Sequence, residues 1–205
     1  MGDRYLTTDS FLETVSALEA FADELRHLDQ DLYRWKWGIL ALHSALQGMM
    51  VLALQGSHGL HVLREEDAAR WLDAHERGGP YPDDLKLDDF LCLYDKIKSD
   101  LMLMYDHSEK FQPQGTQGGS VKRLNSLRNE FIHFTPRVFV LDLHGLPSLC
   151  IDCLDVVDFL AWQSNNVSWT DTELKDRAKA AFESARKSLP ILKGRYESRE
   201  KMGSE

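Results

Sequence analysis

Residues 32–54 read L-Y-R-W-K-W-G-I-L-A-L-H-S-A-L-Q-G-M-M-V-L-A-L, and this run decides the class of fold. At about 100° per residue its apolar side chains fall on nearly every face, which predicts a helix buried almost all round. Gly56, Ser57 and Gly59 end it. The most apolar part, residues 38–55, is interrupted by His43, Ser44, Gln47 and Gly48. It is also shorter than the roughly 20 apolar residues of a membrane span. The expectation is therefore the central helix of a bundle, with no membrane partner.

The flanking sequence supplies helices to cover it. Phe11, Leu12, Val15, Leu18, Phe21, Ala22 and Leu25 recur every three or four residues, predicting an amphipathic helix over 9–28 with Asp9 or Ser10 as N-cap. Residues 64–77 read as a short surface helix with Ala68, Trp71 and Leu72 inward, stopped by G-G-P-Y-P at 78–82. A helix over 88–107 follows, carrying Phe90, Leu91, Leu93, Tyr94, Ile97, Leu101 and Met104. Next come a Gln- and Gly-rich loop at 111–119 and a helix over 120–134. Thr135-Pro136 closes that helix, because the residue before proline is pushed out of helical conformation. Residues 138–143 and 148–151 flank H-G-L-P and predict a small β-hairpin. Helices return at 155–163 and 170–189, with Pro190 breaking or kinking the last. No repeat or linker divides the chain. The expected organisation is one mainly all-α domain over 1–205, with its core at 9–189 and a tail at 190–205.

A chain of 205 residues suits one domain better than two, and its apolar content is enough for one sizeable core. Residues 1–9 are polar without a cationic leader, and three cysteines (Cys92, Cys150, Cys153) suit a reducing compartment, so a cytoplasmic protein is expected. The net charge of -9 would repel nucleic acid over much of the surface. Cations nevertheless cluster: Lys122, Arg123, Arg128 and Arg137 stand against Glu130 alone between 120 and 137, and residues 175–201 also lean basic. A polyanion would meet the protein there, locally and with strong salt dependence.

Several chemical motifs are incomplete. The eight histidines include no His-x-x-x-His pair on one helix; His43, His107 and His133 come from three different predicted helices. No metal or other cofactor is expected. Cys150 and Cys153 form a lone C-x-x-C without a second pair, and ordinary partly buried thiols are the better reading. Residues 115–120, G-T-Q-G-G-S, precede a helix but lack the lysine of a phosphate-binding loop.

Residues 122–134, K-R-L-N-S-L-R-N-E-F-I-H-F, carry more. Val121, Leu124, Leu127 and Phe131 form one apolar stripe. Asn129 and His133 share another face one turn apart, and Arg128 lies between the two. The segment thus pins itself to a core while offering a guanidinium, an amide and an imidazole. Arginine binds phosphate oxygens through a planar fork, and imidazole moves protons near neutral pH. His43 and Gln47 share a face of the central helix and could line the same site or pair with each other.

Arg128-Asn129-Glu130-Phe131-Ile132-His133 resembles the R-polar-x-x-x-H motif of the HEPN superfamily, and the run 124–136 resembles stand-alone bacterial HEPN-domain proteins. The resemblance covers about residues 31–189, outside the motif by organisation more than by residues. It implies a dimeric HEPN-like helical bundle and a metal-independent endoribonuclease of toxin or defence type. Arg128 would hold the scissile phosphate, His133 would assist proton transfer as the ribose 2′-hydroxyl attacks, and Asn129 would orient His133 or the phosphate. Lys122, Arg123 and Arg137 would bind the substrate strand. Arg128 and His133 stand about 140° apart around one helix, so a second copy is expected to complete the site. The resemblance equally allows a non-catalytic dimeric module that binds RNA or a protein partner. Some toxin members carry a tyrosine two residues after the histidine; Thr135 stands there, which puts that mode of antitoxin control in doubt.

Overall fold

The structure, a computed structural model, describes residues 5–133, 136 and 138–203, with side chains through residue 198. It is mostly helical: α1 (Ser10–His27), α2 (Arg34–Leu54), α3 (Glu65–Arg77), α4 (Phe90–Lys96), α5 (Gln117–Ile132), α6 (Leu146–Asp158) and α7 (Thr172–Gly203). Among the described residues the only extended pairing is an isolated bridge between Leu63 and Leu87.

α2 lies at the centre, packed against α1, α5, α6 and α4. Ile39, Leu42, Leu46, Met50, Ala53 and Leu54 are wholly excluded from solvent. By length and composition α2 could cross a bilayer, but 61% of its most apolar window is buried by the other helices. Truncating one such residue, Leu46→Ala for example, would cost about 2–5 kcal/mol through lost transfer energy and the cavity left behind.

α1 begins where Asp9 accepts from the Leu12 amide at 2.8 Å, and it pairs antiparallel with α2. Gly38 faces Phe21 and Glu24, while Gly48 faces Thr14. A Cβ at Gly48 would stand 2.2 Å from Thr14 Oγ1 and 3.3 Å from Thr14 Cα, so the absence of a side chain is what lets the two backbones approach. α7 runs alongside α1 in the same direction: Val15 packs with Leu174 and Ala178, and Arg177 donates to both oxygens of Glu19 at 2.9 and 2.8 Å. Trp35 Nε1 donates to the Tyr196 hydroxyl at 2.8 Å inside the core.

Five sequence expectations are corrected. The predicted β-hairpin is absent: residues 138–143 have no regular structure, and 148–151 lie inside α6. Pro147 sits in the first turn of α6, where its missing N–H would have no helical partner anyway. Cys150, Cys153, Leu154 and Val157 then bury one face. Second, the helix expected over 88–107 is only α4, followed by a 3-10 turn, Asp100–Met102, in which the Ser99 hydroxyl accepts from the Leu101 amide. Third, α5 starts at Gln117 rather than 120, because Thr116 and Ser120 hydroxyls both donate to Asp152 Oδ2 (2.7 and 2.5 Å) and anchor its first turn to α6. Fourth, α7 passes through Pro190 and continues to Gly203. Fifth, on α3, Leu72 points to solvent rather than inward, and Asp67 is the buried residue, accepting from Arg70 and from the Lys86 amide.

Beyond Asp158 the helix widens into a π-turn, Phe159–Gln163, where the Ser164 amide reaches back five residues to the Phe159 carbonyl (2.8 Å). Ser164 Oγ takes the Leu160 carbonyl (2.8 Å), and Trp169 Nε1 takes that of Ala161 (3.0 Å). Asn166, 7% exposed, donates to the Ala53 and Met102 carbonyls (3.0 and 2.8 Å) and accepts from Ser108 Oγ (2.6 Å).

Candidate functional site: a groove beside Arg128

α5 presses Val121, Leu124 and Leu127 into the core, each with no exposed surface. That orientation decides what its other faces meet. Asn125 faces α2, and Arg128 and Asn129 follow it along one wall of a groove of about 550 Å³. His43 and Gln47 of α2 form its floor, and residues 87–92, where the chain enters α4, form the opposite wall.

The floor is neutral. His43 is 4% exposed, its ring stacked on Phe90 with centroids 4.0 Å apart. Its Nε2 donates to Asn125 Oδ1 at 3.1 Å. This is the partner of His43, so the pairing with Gln47 considered from sequence does not form. Burial lowers the His43 pKa from its ordinary 6.5 to about 4; the Asn125 bond works against that shift, and the nearby positive charge of Arg128 adds to it. At neutral pH the ring is uncharged.

Arg128 is half-buried, and its Nη1 donates to Asn129 Oδ1 at 3.0 Å. It makes no ion pair among the described residues. Many other surface cations do, including Arg34 with Glu24, Arg70 with Asp67 and Asp84, and Lys110 with Asp100. An arginine steadied by an amide, with its charge uncompensated, is suited to an anionic ligand.

The remaining sequence candidates sit elsewhere. His133 is exposed at the end of α5, its amide bonded to the Asn129 carbonyl at 2.8 Å, and it is not part of the groove lining. The Asn129 side chain therefore serves Arg128 rather than His133. Lys122 and Arg123 are exposed and outside the groove, with Arg123 3.9 Å from Glu130. Arg137 lies outside the described residues. The loop at 111–119 is anchored by buried Phe111 and lines a different groove, of about 540 Å³, against α6 and the π-turn.

Asp88, Asp89 and Asn125 are the groove residues that sequence reasoning missed. Asn125 had a signal, since it lies one turn before Asn129. The two aspartates had none, because only the folding of residues 87–92 over α2 brings them to α5.

Cys150 and Cys153 are fully buried on α6, and burial pushes both thiols up. No group of three or more His, Cys, Asp or Glu side chains is placed to hold a metal among the described residues. Comparison with protein-family models, curated proteins and solved structures returned no match.

Proposed function

We propose that the chain is a metal-independent endoribonuclease of HEPN type, acting as a homodimer, with the RNA phosphate held at Arg128. The observation that carries this reading is the uncompensated Arg128 guanidinium on a groove wall, steadied by Asn129. The motif resemblance supplies the reaction. The 2′-hydroxyl gives its proton to the imidazole of His133, the O2′–P bond forms, and the P–O5′ bond breaks. The 5′-oxygen recovers a proton, leaving a 2′,3′-cyclic phosphate and a 5′-hydroxyl. Arg128 offsets the charge that builds on the phosphoryl oxygens. Because His133 lies off the groove of its own chain, it would act on the phosphate held by Arg128 of a second copy. Toxin or defence activity in the cytoplasm, and control by a protein partner, belong to the same reading.

A second reading, a dimeric module that binds RNA or a protein without cutting, draws on the same separation of His133 from the groove. Incubation of labelled single-stranded RNA with the protein in excess EDTA separates the two. Cyclic-phosphate products lost in Arg128→Ala and in His133→Ala support the nuclease. Binding without cleavage, weakened by Arg128→Ala alone, supports the module. A strict monomer by light scattering removes the shared site.

A further inference from the structure

The groove beside Arg128 carries opposite charges on its two walls. On the far wall Asp88 is already committed: its carboxylate pairs with Lys96 at 2.8 Å and accepts from the Asp89 amide at 2.9 Å. Asp89 is different. Its side chain is 76% exposed, its cation partner is the half-buried Arg64 at 3.6 Å, and it makes no capping bond to α4. A pair that long and that open to solvent contributes little, so both oxygens of Asp89 remain able to accept.

This arrangement constrains what fits. A strand laid along the groove would bring a second phosphate against Asp89, where like charges repel. One phosphate at Arg128 with a hydrogen-bond donor at Asp89 satisfies both walls across the uncharged His43 floor. A volume of about 550 Å³ is ample for one nucleotide unit. A carboxylate accepts two parallel donors best. Among the four RNA bases only guanine offers two adjacent donors, N1–H and the N2 amino group, on one edge. Adenine and cytosine set an amino group beside a lone pair, and uracil sets its single N–H between two carbonyls.

Building on the RNA reading above, we propose that this groove is a single-nucleotide subsite selective for guanine, with the phosphate on Arg128 and the base edge on Asp89. Gln47 and Asn125 line the space between and are available to the ribose hydroxyls.

Calorimetric titration with 3′-GMP, 3′-AMP, 3′-CMP and 3′-UMP tests it, together with mapping of cleavage positions on a mixed-sequence RNA. The expected result is 3′-GMP bound at least about tenfold more tightly than 3′-UMP, as charge-assisted hydrogen bonds imply. Asp89→Asn should abolish that preference without weakening 3′-UMP, whose phosphate gains from the lost negative charge, and Arg128→Ala should weaken all four. Equal binding of the four, binding of none, or a guanine preference that survives Asp89→Asn overturns the subsite. Guanine selectivity without RNA cleavage would keep the subsite and remove the nuclease. Cleavage without base preference, unchanged in Asp89→Asn, would do the reverse.

Discussion

Acid should weaken this protein through His43 before it reaches the carboxylates. The ring is neutral when folded, with its pKa near 4, whereas in the unfolded chain it returns to about 6.5. A folded pKa below the unfolded one means that the unfolded chain binds a proton first as pH falls. The stabilisation is therefore complete above about pH 6.5 and is lost progressively as pH falls through about 4. At about 1.4 kcal/mol per pH unit, the displacement from 6.5 to about 4 amounts to about 3 kcal/mol, of which about 2 kcal/mol is gone by pH 5. That pH lies above the ordinary range of the carboxylates, but burial also lowers the His61 pKa, so a variant comparison is needed to isolate His43. Urea unfolding followed by tryptophan fluorescence, at pH 7.5 and pH 5, should be run on the natural protein and on His43→Gln. Glutamine can keep the bond to Asn125 and cannot titrate. The natural protein should lose about 2 kcal/mol more than the variant between the two pH values. Equal losses, within about 0.5 kcal/mol, would mean that His43 is solvated or charged and that the neutral floor of the groove is wrong.

Three other expectations follow from packing and burial. Gly48→Ala should destabilise by about 1–3 kcal/mol, since the new methyl meets Thr14; a double variant with Thr14→Ala should recover part of the lost melting temperature. Asn166→Ala leaves the Ala53 and Met102 carbonyls without their side-chain donor and should cost about 2–4 kcal/mol by denaturant titration; a loss below about 1 kcal/mol would show that water replaces the amide there. Of the three thiols, only Cys92 is exposed, so a thiol reagent should titrate one cysteine in the folded protein and three in urea. Rapid labelling of Cys150 or Cys153 under native conditions would contradict the burial of α6.

Sequence periodicity conveyed the bundle because α1 and α2 are long and their apolar positions repeat over several turns. It failed where short signals competed. H-G-L-P reads as a turn between two apolar runs, yet the same Pro147 opens α6, and the spacing Cys150, Cys153, Leu154, Val157 was the helical clue. Gly118 and Gly119 suggested a loop, but the hydroxyls of Thr116 and Ser120 on Asp152 hold the chain helical there. That tertiary tie has no local trace. In the candidate site, Arg128 and Asn129 were legible as a polar face beside an apolar stripe. The separation of Arg128 from His133 around the helix was legible too, at about 140°, whereas Asn129, read as sharing a face with His133, turned out to serve Arg128. What could not be read was the opposite wall, because Asp89 reaches α5 only through the path of the chain over α2.

The π-turn at Phe159–Gln163 sets a rule about chain length. It holds one residue more than an ordinary helical turn would between the same two ends. Deleting a residue there would restore regular pairing but rotate the point where the chain leaves the helix by about 100°. Asn166 would then swing away from the Ala53 carbonyl, and Trp169 from that of Ala161. The turn thus sets the direction in which the chain leaves α6, and with it the path of the irregular residues 164–171 that lead into α7. Natural variants of this chain should therefore accept changes of side chain within the turn far more readily than insertions or deletions.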